Sequence, residues 1–392
     1  MRQTVSGLNP AVLKWARETA GYSLEEAADL MGKRQRPQVI GAWESGEDAP
    51  TYVQLERLAY KVYKRPIAVF FFPAPPEEPS PGSSFRTLPD FEVESLPATV
   101  RYVERQARAM QLALRDLTDG QNPAERHIFR DIRPTEEDDF PGIAARVRQY
   151  IGVSPDARRA WRSNDAALQW YRDRLEDAGL FVFRQPFKTK EVSGFCLADS
   201  EFPVVYLNSG TAPARQTFSL LHELGHILFE TGGVTKQDDS YIDVLTGRAR
   251  RVEVFCNAFA AEVLLPQAEF EMYRSKDFCD ATVVAGIAKK YGVSREVVLR
   301  RALDEELVTT DYYAKMTAIW NQEYEKGRET RQGGGNFYHN QASYLGRAFL
   351  ELAFSRYHQG RCTIEQLADH LNVKVQNVPG LEDFAMEKVF AR

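Results

Sequence analysis

The chain has 392 residues, of which 43% are hydrophobic and 27% are charged, and its formal net charge is −5. Because this length exceeds what one ordinary core can hold, we expect two or three domains. The composition excludes a wholly disordered chain. The negative net charge excludes a general attraction to nucleic acid, so any DNA binding must come from one local face.

The sequence carries no recognisable export or membrane signal. Residues 1–10 lack the basic and then apolar run of a signal peptide, and no stretch approaches the roughly 20 apolar residues that span a membrane. We therefore expect a cytoplasmic protein with no membrane partner. Widely spaced cysteines without a CxxC pair fit buried, reduced thiols and argue against a cysteine zinc knuckle. They are Cys196, Cys256, Cys279 and Cys362.

Residues 1–72 have the pattern of several short helices. Ser23 and Glu26 form a capping box, Gly32 ends the helix that follows them, and Pro37 is placed to open the next one. The sequence therefore predicts a helix, a turn and a second helix within a small N-terminal domain.

A composition change follows this domain. Residues 73–89 contain six prolines, which favour an extended linker. Beyond it, helical periodicity alternates with short apolar runs, which predicts an α+β domain over residues 90–308 and a helical region over residues 309–392. The expected helices cover 95–117, 142–150 and 166–178, and the expected strands cover 180–184, 192–198 and 204–207.

The strongest chemical motif is His222-Glu223-Leu224-Gly225-His226 within an amphipathic helix. Imidazoles four residues apart lie on one helical face, where both can reach a single ion. Zinc is the metal that such ligands suit, with one position left open for water. Glu223 is placed to take a proton from an attacking water and to pass it to the leaving amine.

Such a zinc site needs a third protein ligand, and residues 252–266 form a second helix with candidates. Glu253 and Asn257 share one face at i and i+4, so Glu253 can bind the metal while Asn257 orients a ligand histidine. Glu262 is a second, weaker candidate for the ligand. The pattern predicts a zinc site built from two helices.

The predicted strand at 204–207 leads into the His-Glu-x-x-His helix, and Glu253, Asn257 and Leu264-Leu265-Pro266 follow. Together these features resemble the ImmA/IrrE family of metallopeptidases over about residues 90–310. The resemblance implies a gluzincin-like zinc site, with His222, His226 and Glu253 as ligands and Glu223 as general base. It also implies action on helix-turn-helix repressors that control stress, mobile-element or defence genes.

The N-terminal helices resemble the XRE class of lambda-repressor-like domains, in Ser23–Ala28 and Ile40–Glu47. In such domains the second helix of the motif enters the major groove. Within residues 1–72, ten Lys or Arg face eight Asp or Glu, so a homodimer or a partner would strengthen DNA binding. The residues expected nearest the DNA are Lys33, Arg34, Arg36, Gln38 and Val39.

We therefore expect a mostly helical α+β protein that joins a DNA-binding domain to a regulatory zinc peptidase, which cleaves a repressor or similar protein. The alternative is a non-proteolytic transcriptional regulator, or the antitoxin of a toxin-antitoxin pair, with a structural metal site. Residues 287–299 and 363–373 also have helix-turn-helix-like patterns, typical of packing helices or of a dock for a partner repressor or toxin. The oxyanion donor is open among Tyr241, Arg250, Arg251 and His339.

Overall fold

A computed structural model of the protein describes residues 3–32, 35–78, 96–135, 138–236, 239–329 and 335–391. The chain divides into two compact units. The first contains the described residues up to 78 together with 96–106, and the second begins at residue 107. The domain boundaries expected at residues 72, 89 and 308 stay predictions.

The first unit is a set of short helices around its own apolar core, which includes Leu13, Trp43 and Leu55. The predicted capping box is present, since Glu26 N–H donates to the Ser23 hydroxyl and Ser23 N–H donates to the Glu26 carboxylate. The helices are α1 (Pro10–Ala20), α2 (Leu24–Met31), α3 (Pro37–Ser45) and α4 (Tyr52–Arg57), which continues as a π-helix (Leu58–Tyr63) before a 3₁₀ turn (Ile67–Phe71).

The division between the two units falls within α5 (Ala98–Leu117). Further helices before the sheet are α6 (Ile128–Asp131), α7 (Phe140–Ile151), α8 (Pro155–Ala160) and α9 (Asn164–Glu176). The strands are β1 (Phe181–Gln185), β2 (Val192–Leu197), β3 (Val204–Asn208) and β4 (Gly233–Lys236). The helices after β3 are α10 (Pro213–Leu228), α11 (Gly247–Leu264), α12 (Gln267–Phe270), α13 (Ala281–Tyr291) and α14 (Arg295–Asp304), with 3₁₀ turns at Asp239–Val244 and Glu271–Tyr273.

The four strands form one sheet in the order β1-β3-β2-β4, with β1 and β3 parallel and the other two pairs antiparallel. All residues of β2 and β3 are buried. Asn208, at the end of β3, holds the β1–β2 loop: its Nδ2 donates to the carbonyls of Thr189 and Val192, at 2.9 and 2.8 Å. The strand therefore ends at a fixed point, from which the chain turns into α10.

α10 packs between the sheet and α11, and this is where the core of the second unit is centred. α13 and α14 form a helix-turn-helix pair, with Gly292 in the left-handed region and Ser294 capping α14. Tyr291 and Leu299 are fully buried in the central core, so this pair packs as part of the domain.

The C-terminal region is helical, as predicted. None of the described helices in the chain is long and apolar enough to cross a membrane. The last helices are α15 (Thr310–Glu329), α16 (Phe337–Leu345), α17 (Arg347–His358), α18 (Ile364–His370) and α19 (Val378–Lys388), with a 3₁₀ turn at Val375–Asn377. The predicted fold class, mostly helical α+β with a small sheet, is confirmed.

Candidate metal centre

The His-Glu-x-x-His motif lies on α10, which begins at Pro213 directly after the turn that follows β3. Proline suits this first helical position because its missing N–H has no partner there. His222 and His226 lie one turn apart, and their side chains are 1% and 0% exposed. Two imidazoles removed from water in this way need defined partners.

Glu253 on α11 supplies a carboxylate between the two rings. Its Oε2 lies 3.3 Å from His222 Nε2, its Oε1 lies 3.4 Å from His226 Nε2, and the two Nε2 atoms are 3.0 Å apart. These three residues form a group whose ligand atoms lie within 4.8 Å of one another. Ligands about 2.0–2.1 Å from a tetrahedral Zn²⁺ lie roughly 3.3 Å apart, so the spacing suits such an ion.

The other nitrogen of each ring faces a fixed partner. His222 Nδ1 lies 2.8 Å from the Asn257 Oδ1 atom, which can only accept, so this Nδ1 carries the proton. Thr231 donates its hydroxyl proton to the His226 carbonyl at 3.0 Å, and its oxygen lies 3.3 Å from His226 Nδ1. Both Nε2 lone pairs therefore point at one place, where a shared cation relieves their repulsion.

The electrostatics of the group favour a positive charge at its centre. Burial opposes the charged form of His226, but Cys256 and the Glu253 carboxylate outweigh burial and raise the pKa of His226 well above its ordinary value. The residues present therefore fit a divalent metal.

Two glycines allow the elements around this group to approach closely. A Cβ at Gly225 would lie 2.8 Å from Cys256 Sγ, so only glycine lets α10 and α11 approach at this point. A Cβ at Gly233 would lie 2.2 Å from His226 Cδ2, so β4 runs directly against the ligand ring. The sequence analysis did not predict β4, Thr231 or Gly233 as parts of the site.

The weaker ligand candidate, Glu262, has another role. Its carboxylate accepts a hydrogen bond from Gln267 N–H at 3.1 Å and pairs with Arg301 at 2.6 Å. It therefore caps α12 and anchors α14. The structure does not bring Glu262 into the metal group.

Of the candidate oxyanion donors, the three whose side chains the structure describes are exposed. Arg250 and Arg251 are exposed near the start of α11. His339 is exposed on α16, where its ring packs edge-on against Phe384. The Tyr241 side chain lies outside the described residues. Which residue donates to an oxyanion stays open.

A cleft of about 1380 Å³ passes beside the metal group. Asn257, which contacts His222, lines it, and so does Phe218, whose ring centroid lies 6.3 Å from that of His222. Alanines on α11 and α13 line part of the cleft, together with aromatic and basic residues. They include Ala258 and Ala261 on α11, Ala285 and Ala288 on α13, Trp161 and Trp320 among the aromatic residues, and Arg162 and Lys289 among the basic ones.

The four cysteines are free thiols, as predicted, but only Cys196 and Cys256 are buried. Burial raises the pKa of both thiols. Cys279 is exposed and Cys362 is half-buried, so the expectation that all four are buried was wrong for these two. Their neighbouring sequence is polar, and spacing alone does not report exposure.

Three of the predicted DNA-contacting residues, Arg36, Gln38 and Val39, lie at the start of α3. Arg36 is the N-cap of this helix, and Arg36 and Gln38 are exposed. Val39 is half-buried and packs against the N-terminal core, so less of its side chain is available for contact. Lys33 and Arg34 lie outside the described residues.

α3 is fixed to α1 by a two-bond ion pair. Arg17 donates from Nε and Nη2 to the two carboxylate oxygens of Glu44, at 2.8 and 2.9 Å, and both side chains are largely buried. Pairs with this fork geometry are strong and directional. They hold α3 at a defined angle within the helix-turn-helix unit.

Comparison with known proteins connects both parts of the chain to described families. Residues 13–59 match a helix-turn-helix family model, and residues 175–303 match the IrrE N-terminal-like domain model, a peptidase family. The second match contains α10 and α11, the two helices that form the metal group.

A relative is the radiation response metalloprotease IrrE of Deinococcus radiodurans, 31% identical over 121 residues. The alignment covers 30% of this chain and 35% of that protein, so the chain spans about a third of its relative's length. At the level of the family, these matches indicate a metal-dependent peptidase domain. The central region of this chain is therefore similar to the IrrE N-terminal-like domain family, and its N-terminal region is similar to a helix-turn-helix family.

Proposed function

We propose that this protein is a regulatory zinc peptidase that makes a restricted cut in a repressor or similar protein. The observation that carries the proposal is the convergence of His222, His226 and Glu253. The buried Glu223 follows His222 in the sequence, and the region matches the IrrE N-terminal-like domain model. A metal that served only to hold the fold would not need a buried carboxylate next to its ligands.

Each residue of the site has a task in this proposal. His222, His226 and Glu253 hold Zn²⁺, and Asn257 orients His222 through its 2.8 Å contact with Nδ1. Zinc in such a site supplies Lewis-acid polarisation of a scissile carbonyl and of the attacking water. Glu223 takes a proton from that water and delivers it to the leaving amine, which completes the cleavage of the peptide bond.

The cleft supports a polypeptide substrate. Its lining includes Phe218 and Asn257, which lie next to His222. Its volume of about 1380 Å³ exceeds the roughly 300–1,000 Å³ of a typical small-molecule pocket. The small alanine side chains in its lining leave room for the side chains of an extended chain. A peptide segment of several residues therefore suits this space.

The helix-turn-helix domain supports a role in gene control. In the proposal, Arg36 and Gln38 on the exposed start of α3 contact phosphates and base edges, together with Lys33 and Arg34. A peptidase joined to such a domain fits control of stress-response or mobile-element genes. The printed name of the Deinococcus relative, a radiation response metalloprotease, is consistent with a stress role.

The test measures metal content by mass spectrometry on purified wild-type protein and on His222→Ala, Glu253→Ala and Glu262→Ala variants. We expect about one zinc per wild-type chain, loss of zinc in the first two variants and retention in Glu262→Ala, which is the matched carboxylate control. Zinc that survives both ligand substitutions would overturn the assigned site.

Activity is tested with a peptide library prepared from a proteolysed cell extract and with the proteins encoded beside this chain. Wild-type protein should generate new termini that the Glu223→Gln variant does not. Zinc binding without cleavage of either material would instead support the alternative, a non-proteolytic regulator or antitoxin with a structural metal.

A further inference from the structure

The two carboxylate oxygens of Glu223 have different surroundings. The side chain is fully buried, Oε1 accepts a hydrogen bond from the Thr235 hydroxyl, and Oε2 has no hydrogen-bond partner among the described residues. The terminal torsion of a glutamate is broad and rotates easily unless a partner holds it. The hydrogen bond from Thr235 therefore determines which carboxylate oxygen of Glu223 stays available to accept a proton.

Thr235 is itself held in place. It lies on β4, is 1% exposed and pairs with Gly194 of β2. Its β-branched side chain has few rotamers. Its backbone carbonyl accepts a hydrogen bond from the Ser193 hydroxyl at 3.1 Å, and the Ser193 oxygen in turn accepts one from Ser219 at 2.9 Å.

An irregularity in the sheet produces this arrangement. The pairing of β2 with β4 shifts between Val192, which faces Lys236, and Gly194, which faces Thr235. Ser193 is therefore an extra residue on β2, and such bulges redirect side chains next to functional sites. Ser193 and Ser219 are both fully buried, and their hydroxyl groups link α10 and β2 to the Thr235 carbonyl of β4 by direct hydrogen bonds.

We infer that Thr235 is a positioning residue for the proposed peptidase reaction, whose hydroxyl holds Glu223 Oε1 so that Oε2 is left to take the proton of the attacking water. The inference rests on the proposed function. Thr235 donates its one proton to Oε1 and exchanges no proton with substrate. Its contribution is to keep the base in one orientation, which a buried general base requires.

Another neighbour of Glu223 does not replace this contact. Cys196 lies beside the carboxylate, but burial, together with Glu223, raises the pKa of its thiol. Its sulfur contacts the Thr231 carbonyl at 3.8 Å. A thiol is a weak donor, so the hydroxyl of Thr235 remains the strong one at Glu223.

The kinetic test compares Thr235→Val, which has nearly the same shape without the hydroxyl, with Thr235→Ser, which keeps it. Thr217→Val is the matched control, because Thr217 is also fully buried and, among the described residues, its hydroxyl makes a hydrogen bond only to the Pro213 carbonyl within α10. The probe is the peptide or co-encoded protein that wild-type enzyme cleaves fastest. Zinc content is measured for every variant.

We expect Thr235→Val to lower kcat about 10- to 100-fold, part of the 10²–10⁴-fold that a positioned base supplies. KM and zinc content should not change, Thr235→Ser should restore most of kcat, and Thr217→Val should resemble wild type. Adding Thr235→Val to Glu223→Gln should cost nothing further, because the oriented group is already lost. Full activity of Thr235→Val would overturn the inference. So would an equal loss of kcat when Thr235→Val is added to the wild-type protein and to the Glu223→Gln variant.

A crystal structure of the zinc-loaded wild-type protein tests the contact without any substrate. Thr235 Oγ1 should lie within hydrogen-bond distance of a Glu223 oxygen, and a greater separation would overturn the positioning role. Failure of the proposed function has a different signature: Glu223→Gln then cleaves as well as wild type, whereas failure of this inference alone leaves Glu223→Gln inactive and Thr235→Val active.

Discussion

In His222 and in His226, one ring nitrogen contacts a side chain that orients the ring, and the other ring nitrogen faces the centre of the metal group. Asn257 and Thr231 face the two Nδ1 atoms, so both Nε2 atoms converge at 3.0 Å. Partners of this kind fix the tautomer and the ring angle, and their loss commonly weakens metal affinity. The ligands are therefore only part of what makes the site.

At this scale we predict that Asn257→Ala weakens zinc affinity about 10- to 100-fold, because His222 loses the acceptor that fixes its Nδ1 proton. Asn257→Asp, which keeps an acceptor at the same place, should stay close to wild type. Competition with a chromophoric chelator measures both affinities. Equal affinity in wild type and Asn257→Ala would exclude the orienting role.

A second prediction concerns the glycine beside the ligand ring. Gly233→Ala should displace the His226 imidazole and lower zinc content, because the new Cβ would lie 2.2 Å from His226 Cδ2. Gly286→Ala is the control, since nothing lies within 4 Å of a Cβ there. Metal analysis of the two purified variants checks this, and full zinc content in Gly233→Ala would show that β4 can move aside.

At the scale of elements, the site depends on how closely α10 and α11 pack. A Cβ at Gly225 would meet Cys256 Sγ at 2.8 Å. We predict that Gly225→Ala destabilises the protein by about 1–3 kcal/mol through overpacking, despite the better helix propensity of alanine. Chemical denaturation measures the free energy of unfolding.

Cys256→Ala tests the cause of that loss. Removing the sulfur should relieve part of the clash, so the double variant should be less destabilised than the sum of the single variants, by about 0.5–1 kcal/mol or more. Additive effects would mean that the glycine serves some other purpose than the close approach of the two helices.

The sequence predicted the elements with strong local signals and missed those fixed by distant contacts. The helical spacing of His222 and His226 and the i, i+4 relation of Glu253 and Asn257 were readable because they repeat every turn. β4 has four residues, begins with glycine and has no apolar alternation, so nothing local marks it as a strand. Thr231 and Thr235 become partners of the site only when β4 pairs with β2, and the register shift at Ser193 has no local signature.

On the scale of the whole molecule, a buried ion pair within α9 holds the C-terminal helices through hydrogen bonds to their backbone. Arg172 is 1% exposed, donates to Glu176 at 3.0 Å, and also donates to the backbone carbonyls of Ser343 and Tyr344, at 2.6 and 3.3 Å. Gly346 adopts a positive φ of 87°, and a Cβ there would lie 2.4 Å from Arg172 Nη2. The region after residue 335 is therefore tied to α9.

We predict that Arg172→Ala lowers the free energy of unfolding by about 3–5 kcal/mol, because the Glu176 carboxyl, whose pKa burial already raises to about 7, loses its buried guanidinium partner. Arg172→Ala should also raise the hydrogen-exchange rates of the backbone amides in α16 and α17 more than those of the other helices. Arg347→Ala removes more exposed ion pairs to Asp177 and Glu351 and should cost about 1 kcal/mol or less. Equal exchange in the two variants would contradict the special role of Arg172.

The measurement that tests the central claim most directly is quantitative mass spectrometry of protein N-termini in host cells that carry wild-type protein or Glu223→Gln at equal levels. The account predicts at least one new N-terminus in the wild-type cells only, within a DNA-binding or other regulatory protein, while both proteins bind zinc. Identical N-termini in the two strains, with zinc bound in both, would contradict a peptidase and leave a metal-containing regulator.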